Sequence, residues 1–370
     1  MKPKFAGQWI MDEFEISEQE LLRSLIEAIG KLPHAHVMAT DHQRAFGHRQ
    51  IDASIDLEVA GKRLQLLVEA KREAFPRDVR ELLWQFRNYL AHANPDGKEI
   101  IPFLAARAIS RGARDLLREE NVGFYDLGGS LFIPSNALYI LIDRPPPKRS
   151  RRILSILEGQ KARTIITLFA HRDEWIGVKE LAELAEVSPA TASATLSEME
   201  RREWVDVEGN GPAKVRRLRD ATPLLDEWSR YAVEQKPPRI TRYYVPAQDS
   251  HALCRQLDKS CRASNLVYAV TGEAAAQHYA PYLSTISQIR CRMPPGRLRD
   301  RVLDDMGAHP VSEGWNLGVL QTKSPSDVIV DDESNGVVFA PALQVYVDLL
   351  QGSGRSKEMA GHLRTEKLRA

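Results

Sequence analysis

Long apolar runs are missing from this sequence. None approaches the roughly 18 consecutive apolar residues of a membrane-spanning helix, which excludes a helical transmembrane protein. Cysteine is scarce: Cys254, Cys261 and Cys291 lack metal-ligand spacing, and Cys254 and Cys261 fall on an expected helix. They read as core thiols in a reducing cytoplasm. A charge bias of one sign is absent too, since 51 Lys and Arg offset 50 Asp and Glu, so a nucleic-acid partner must be argued from local clusters. The phosphate-loop signature G-x-x-x-x-G-K-[ST] does not occur. The opening M-K-P-K-F-A-G-Q-W-I-M-D-E turns acidic too early for a signal peptide, so a cytoplasmic protein is expected. With 370 residues, 43% hydrophobic and 27% charged, the chain has the make-up of two or three globular domains.

What is present begins with alternation. From Ile51 to Val59 the odd positions are apolar and the even ones are Asp52, Ser54, Asp56 and Glu58, as in a strand with one buried face. Residues Ala60 to Arg63 form a turn, and Leu64 to Lys71 read as a second strand. With Gly61-Lys62 as the loop, Asp52 lies opposite Lys71 and Ser54 opposite Glu69. The Asp52 and Glu69 carboxylates are then diagonal neighbours about 6–8 Å apart at the backbone. Two such carboxylates can share a divalent cation such as Mg²⁺, with the Lys71 ammonium beside them. A solvated hairpin face carrying charge for solubility is the plain alternative.

An Asp at the end of one strand followed by Glu69-Ala70-Lys71 on the next resembles the PD-(D/E)XK, or restriction-endonuclease-like, superfamily. A helix over 17–32, an amphipathic helix over 77–92, a strand over 99–106, a capped helix over 110–121 and a strand over 122–127 complete the order α-β-β-α-β-α-β, and a further strand follows over 131–134. The resemblance implies metal-dependent DNA cleavage, with Asp52 and Glu69 as metal ligands and Lys71 at the attacking water. Gln85 is the candidate to orient the scissile phosphate, and Glu20 or Glu27 the candidate third carboxylate. His34, His36, His42 and His48 lack ligand spacing and read as loop residues.

The run D-R-P-P-P-K-R-S-R-R, from Asp143, is a basic, proline-stiffened linker or a strap over a DNA backbone, through Arg149, Arg151 and Arg152. Beyond it, helices over 162–169, 178–185 and 190–202 and a hairpin turning at Gly209 to Pro212 read as a winged helix-turn-helix. Ser188 is the expected N-cap of the third helix and Pro189 its first residue. Ser188, Ala190, Thr191, Ser193 and Thr195 are expected at the groove, with Lys214, Arg216 and Arg217 on the wing against phosphates. The string V-S-P-A-T-A-S-A-T-L-S-E-M-E resembles the recognition region of bacterial winged-helix regulators.

Further on, Tyr268 to Ala275 (strand plus T-G-x-A-A) and Leu343 to Arg355 (L-Q-x-Y-x-D-L-L…G-R) resemble the C-terminal domain of AbiEi-type antitoxins of type IV toxin–antitoxin systems. That resemblance implies a regulator that represses its own promoter, with a nucleotidyltransferase-like toxin as partner. A pseudo-palindromic operator would imply a homodimer. Thr271 and Gly272 are expected to cap a helix, Asp348 to pair with Arg355, and Asp331, Asp332 and Glu333 to form an acidic loop tip. The expected architecture is α/β and α+β multidomain: a restriction-endonuclease-like α/β core over 1–143, a linker over 144–152, a winged helix-turn-helix over 153–222 and an α+β domain over 223–370. Double-stranded DNA is the partner common to both functional readings, a DNA-binding regulator and a Mg²⁺-dependent nuclease.

Overall fold

A computed structural model describes residues 17–46, 49–92, 98–136, 138–144, 155–282, 286–334, 336–352 and 354–369. The chain divides into two compact units, Met1–Arg151 and Arg152–Ala370. Arg149, Arg151 and Arg152 of the basic run lie outside the described residues.

The first unit runs α1 (Glu18–Gly30), β1 (Ala35–Phe46), β2 (Arg49–Val59), β3 (Lys62–Ala74), α2 (Pro76–His92), β4 (Glu99–Ile109), α3 (Arg111–Glu119), β5 (Gly123–Asp126), β6 (Leu131–Pro134) and β7 (Tyr139–Ile142). Its seven strands form one sheet in sequential order. The β3/β4 and β4/β5 pairs are parallel, which requires the crossovers that α2 and α3 supply; the remaining neighbours are antiparallel. Strands covered on both faces become continuously apolar, as Leu66, Leu67 and Val68 and then Phe103 to Ala106 illustrate. Helix α1, opened by a Ser17–Glu20 capping box, packs Leu25 and Ile29 against Ile55, Leu57 and Val68. On the opposite face α2 and α3 pack Val79, Phe86 and Leu117 against Leu67, Leu104 and Phe124. The α/β element order expected over the first 143 residues is present, extended by β1. His36 and His42 lie on that strand and not in a loop; His48 lies outside the described residues.

The hairpin between β2 and β3 turns one residue earlier than expected. Val59 pairs with Lys62, so Ala60-Gly61 is the loop and not Gly61-Lys62. Both loop residues have left-handed φ, 49° and 77°, the pattern of a type I′ turn whose twist matches the strands.

The second unit opens with α4 (Gly159–Ala170), β8 (Ile176–Gly177), α5 (Val178–Leu184), α6 (Pro189–Arg201), β9 (Val205–Glu208) and β10 (Val215–Leu218). The three short strands form a sheet in the order β8-β10-β9. Helix α7 (Ala221–Glu234) leads into β11 (Ile240–Tyr244), α8 (Ser250–Ala263), β12 (Ala269–Thr271), α9 (Gly272–Tyr279), β13 (Ile289–Met293), α10 (Arg297–Asp305), β14 (His309–Pro310), β15 (Leu317–Gln321), β16 (Asp332–Ser334), β17 (Val337–Phe339), α11 (Ala342–Leu350) and α12 (Arg355–Leu363). Its sheet has the order β14-β11-β15-β13-β12-β17-β16. One continuous core takes in Ile165 and Leu196 of the helix-turn-helix, Trp228 of α7, and Leu257, Val319 and Tyr346 beyond it. Arg163 of α4 adds a polar tie. It donates to the Ala185 carbonyl and to Glu186 in the turn before α6, and to the Ser326 carbonyl at 2.6 Å.

Thr271 is the N-cap residue of α9, as expected, but its hydroxyl donates to Asp348 at 2.6 Å. Two expectations for this unit change. Asp348 pairs with Arg292 at 3.7 Å and accepts from Gln344, so Arg355 is not its partner. Asp332 and Glu333 start β16 and pair with His278 and Arg262 instead of forming a bare acidic tip. Cys254, Cys261 and Cys291 are free and buried. Among the described residues no helix is long and apolar enough to cross a membrane.

Candidate active site and nucleic-acid interface

The register of the hairpin decides what Asp52 meets. The β2/β3 ladder ends at the Ala53–Val68 pair, and the next step brings Asp52 against Glu69, not Lys71. Beyond that point the backbone of β2 no longer serves β3. The Asp52 Oδ2 takes over, accepting the Ala70 N–H at 2.7 Å. Asp52 and Glu69 are therefore direct neighbours, closer than the diagonal arrangement expected. Lys71 remains on the same face, because the register differs from the expected one by an even step.

That face is the one α2 covers. Tyr89, 4% exposed, donates its hydroxyl to Glu69 Oε1 at 3.2 Å. Gln85 lies one turn earlier on α2, half-buried on the same side of the helix. Burial pushes the Glu69 carboxyl up to about 7, and the Asp52 charge and hydrogen bond add to the rise, against the opposing effects of Tyr89 and Lys71. Tyr89 is absent from the sequence-derived site; the signal that could have found it is its place four residues after Gln85. Glu20 is exposed in the α1 cap and Glu27 is exposed on the same helix, which covers the other face of the sheet. Neither can supply a third carboxylate.

A Glu69 carboxyl that keeps its proton well above the usual range, with the Asp52 carboxyl against it, is a fitting seat for a hard cation, which would replace that proton. Among the described residues no group of three or more His, Cys, Asp or Glu could hold a metal. The donor set thus suits an ion that keeps most of its waters, as Mg²⁺ does, better than one needing an all-protein cage.

In the winged helix, Ser188 caps α6 by accepting the Thr191 N–H at 3.1 Å, and Pro189 is its first residue. Ala190 is exposed and Thr191 and Ser193 are half-buried. Thr195 is fully buried and donates to the Thr191 carbonyl, so it belongs to the core and cannot reach a base. The outward stripe instead continues from Ala190 through Ala194 and Ser197, two positions that helical spacing alone could have indicated.

The wing is also corrected. Arg216 is 5% exposed and donates to Glu200 Oε1 at 2.8 Å, so it is an internal strut. Lys214 meets the other Glu200 oxygen at 2.7 Å. Burial works against the Glu200 charge, but these two cations outweigh it and hold the carboxyl below its usual range. Arg217 stacks over Trp175 at 4.7 Å and lies 3.8 Å from Asp206. Of the three wing cations, only the half-buried Lys214 and Arg217 keep a side facing solvent.

Residues 160–209 match the family model of the IclR helix-turn-helix domain. The chain thus carries an IclR-type helix-turn-helix DNA-binding domain. Among solved structures the chain is weakly similar to a repair endonuclease from Pyrococcus abyssi, at 20% identity over 34% of this chain and 50% of that one, with a TM-score of 0.23. It is also weakly similar to EndoMS in its apo form, at 23% identity over 30% of this chain and 46% of that one, with a TM-score of 0.23. EndoMS in complex with double-stranded DNA gives 20% over 35% and 50%, TM-score 0.24. The chain spans about half the length of these proteins. No curated protein matches.

Proposed function

We propose that this chain is a divalent-cation-dependent DNA phosphodiesterase brought to its substrate by the winged helix. The observation that carries the reading is the direct apposition of Asp52 and Glu69, with Lys71 on the same face and Tyr89 fixing one Glu69 oxygen. Asp52 and Glu69 would hold Mg²⁺, which when bound polarises the scissile phosphate and acidifies a water. Tyr89 holds Glu69 Oε1, and the ion would take the place of the proton between Glu69 and Asp52. The Lys71 ammonium sets a positive charge beside Glu69, where charge develops on the phosphate. Gln85 is placed to donate to a phosphate oxygen. Supercoiled plasmid incubated with the protein and Mg²⁺ or Mn²⁺ should be nicked. Lys71→Ala should lower the rate by about 100-fold or more, the scale of removing one preorganised electrostatic group. Absence of nicking, or equal nicking by both proteins, removes this reading.

A second reading is favoured by the helix-turn-helix match over 160–209. In it the chain is a transcriptional regulator of antitoxin type, acting on its own promoter with a nucleotidyltransferase-like toxin as partner, and its N-terminal domain is a DNA-holding module. A gel shift on the upstream promoter should then persist with Mg²⁺ present and the DNA intact. Ala194→Glu with Ser197→Glu, facing the groove with negative charge, should weaken the shift by at least about tenfold. An unchanged shift would place the DNA on another surface.

A further inference from the structure

The C-terminal sheet presents a face whose chemistry neither the cleavage site nor the winged helix uses. Tyr243, Cys291 and Val319 point into the core. The alternate positions on the same strands place Arg242 of β11, Gly318 of β15 and Arg290 of β13 side by side in one row. Gly318 is needed there, since a Cβ would come within 3.0 Å of the Trp315 ring, which lies across the strand. The Arg242 and Arg290 guanidinium carbons sit 5.8 and 5.9 Å from the centroid of that ring. Tyr244, two residues along β11 from Arg242 and on its side of the sheet, is 47% exposed.

Two guanidinium groups thus converge on one indole with no carboxylate between them. Among the described residues Arg290 has no hydrogen bond or ion pair, and Arg242 reaches only the Ser312 carbonyl at 3.4 Å. Elsewhere in this unit Arg202, Arg216, Arg262 and Arg364 all meet carboxylates. Like charges gathered without a counter-charge favour an anionic ligand. Aromatic surface beside them narrows its kind. In a duplex the base faces are stacked inside, whereas a single strand offers faces to aromatic rings and phosphates to arginines together. An acidic protein surface would use the arginines and leave the rings idle.

We propose that this face binds single-stranded nucleic acid, with Arg242 and Arg290 on phosphates and Tyr244 and Trp315 against bases. The site belongs to the second unit and the proposed cleavage centre to the first. Binding is measured on the full chain by fluorescence anisotropy with labelled oligothymidine and with a duplex, in EDTA so that no cleavage intervenes. Arg242→Gln with Arg290→Gln should weaken oligothymidine binding about tenfold and flatten its salt dependence by about 1.4 in log–log slope, at about 0.7 for each phosphate no longer held. Tyr244→Ala should weaken it about tenfold with the salt slope unchanged. Duplex binding by the winged helix should be unaltered in both, and far-UV circular dichroism confirms that they fold. Three outcomes would overturn the proposal: no oligothymidine binding by the unaltered protein, equal binding by the double variant, or a tighter, arginine-dependent hold on polyglutamate. The last would assign the face to an acidic protein.

Discussion

Glu69→Gln should make the protein more heat-stable at pH 8 while removing its response to Mg²⁺. Folded Glu69 keeps its proton up to about pH 7, whereas its ordinary value is 4.5. Between those limits the native state binds the proton that the unfolded chain has released, so stability falls as pH rises through the window. Glutamine keeps the shape and the hydrogen-bonding oxygen for Tyr89 but cannot ionise against Asp52. The melting temperature of the first unit should therefore decline in the unaltered protein from pH 4.5 to 7 and stay nearly level in the variant. Mg²⁺ should restore the unaltered protein at pH 8 by binding the native state, and should leave the variant unmoved. Plasmid nicking should fall by about 100-fold or more with it. A flat pH profile for the unaltered protein would remove the like-charge account of this site. Equal Mg²⁺ stabilisation of both proteins would remove Glu69 as a ligand.

The largest stability effect is expected at Glu200. Its carboxylate is the acid that meets Arg216, and both side chains are 6% exposed. Glu200→Ala would leave a buried guanidinium uncompensated, which costs about 3–5 kcal/mol. The Lys214 pairing adds little, because that side chain is 29% exposed and can turn to water. Urea unfolding of the second unit, followed through the fluorescence of its tryptophans, measures the change. Glu200→Met with Arg216→Met removes both charges and should recover most of the stability. A cost below about 1 kcal/mol for the single change would mean that Arg216 finds water, and the strut would be a surface pair after all.

The hairpin, both capped helices of the first unit and the helix-turn-helix are legible in the sequence, because each is set by local periodicity or by a cap. The exact turn is not. Gly61 invites the loop to begin with it, yet Ala60 takes the strained left-handed position and glycine the second. The site tolerates the error because a register displaced by an even step keeps every side chain on its face. Strand β1 is hidden because its polar and histidine-rich segment alternates poorly. Arg216 and Thr195 read as DNA-facing because charge and hydroxyl groups usually face water. The burial of Arg216 depends on Glu200, a partner on the neighbouring helix that periodicity along its own strand cannot report. Thr195 is different: its partner, the Thr191 carbonyl, is one turn back on the same helix, and its place three residues after the buried Ala192 could have shown that it faces inward.

The tie made by Arg163, together with the core that runs unbroken from Ile165 to Tyr346, bears on how such a chain can be inherited. A helix-turn-helix that completes its interior with someone else's side chains is not a cassette. Shuffled alone into another gene, it would arrive with Trp228 and its neighbours missing from its own base. Sequences on the two sides of α7 are therefore expected to diverge in step, each substitution on one side screened by the fit of the other.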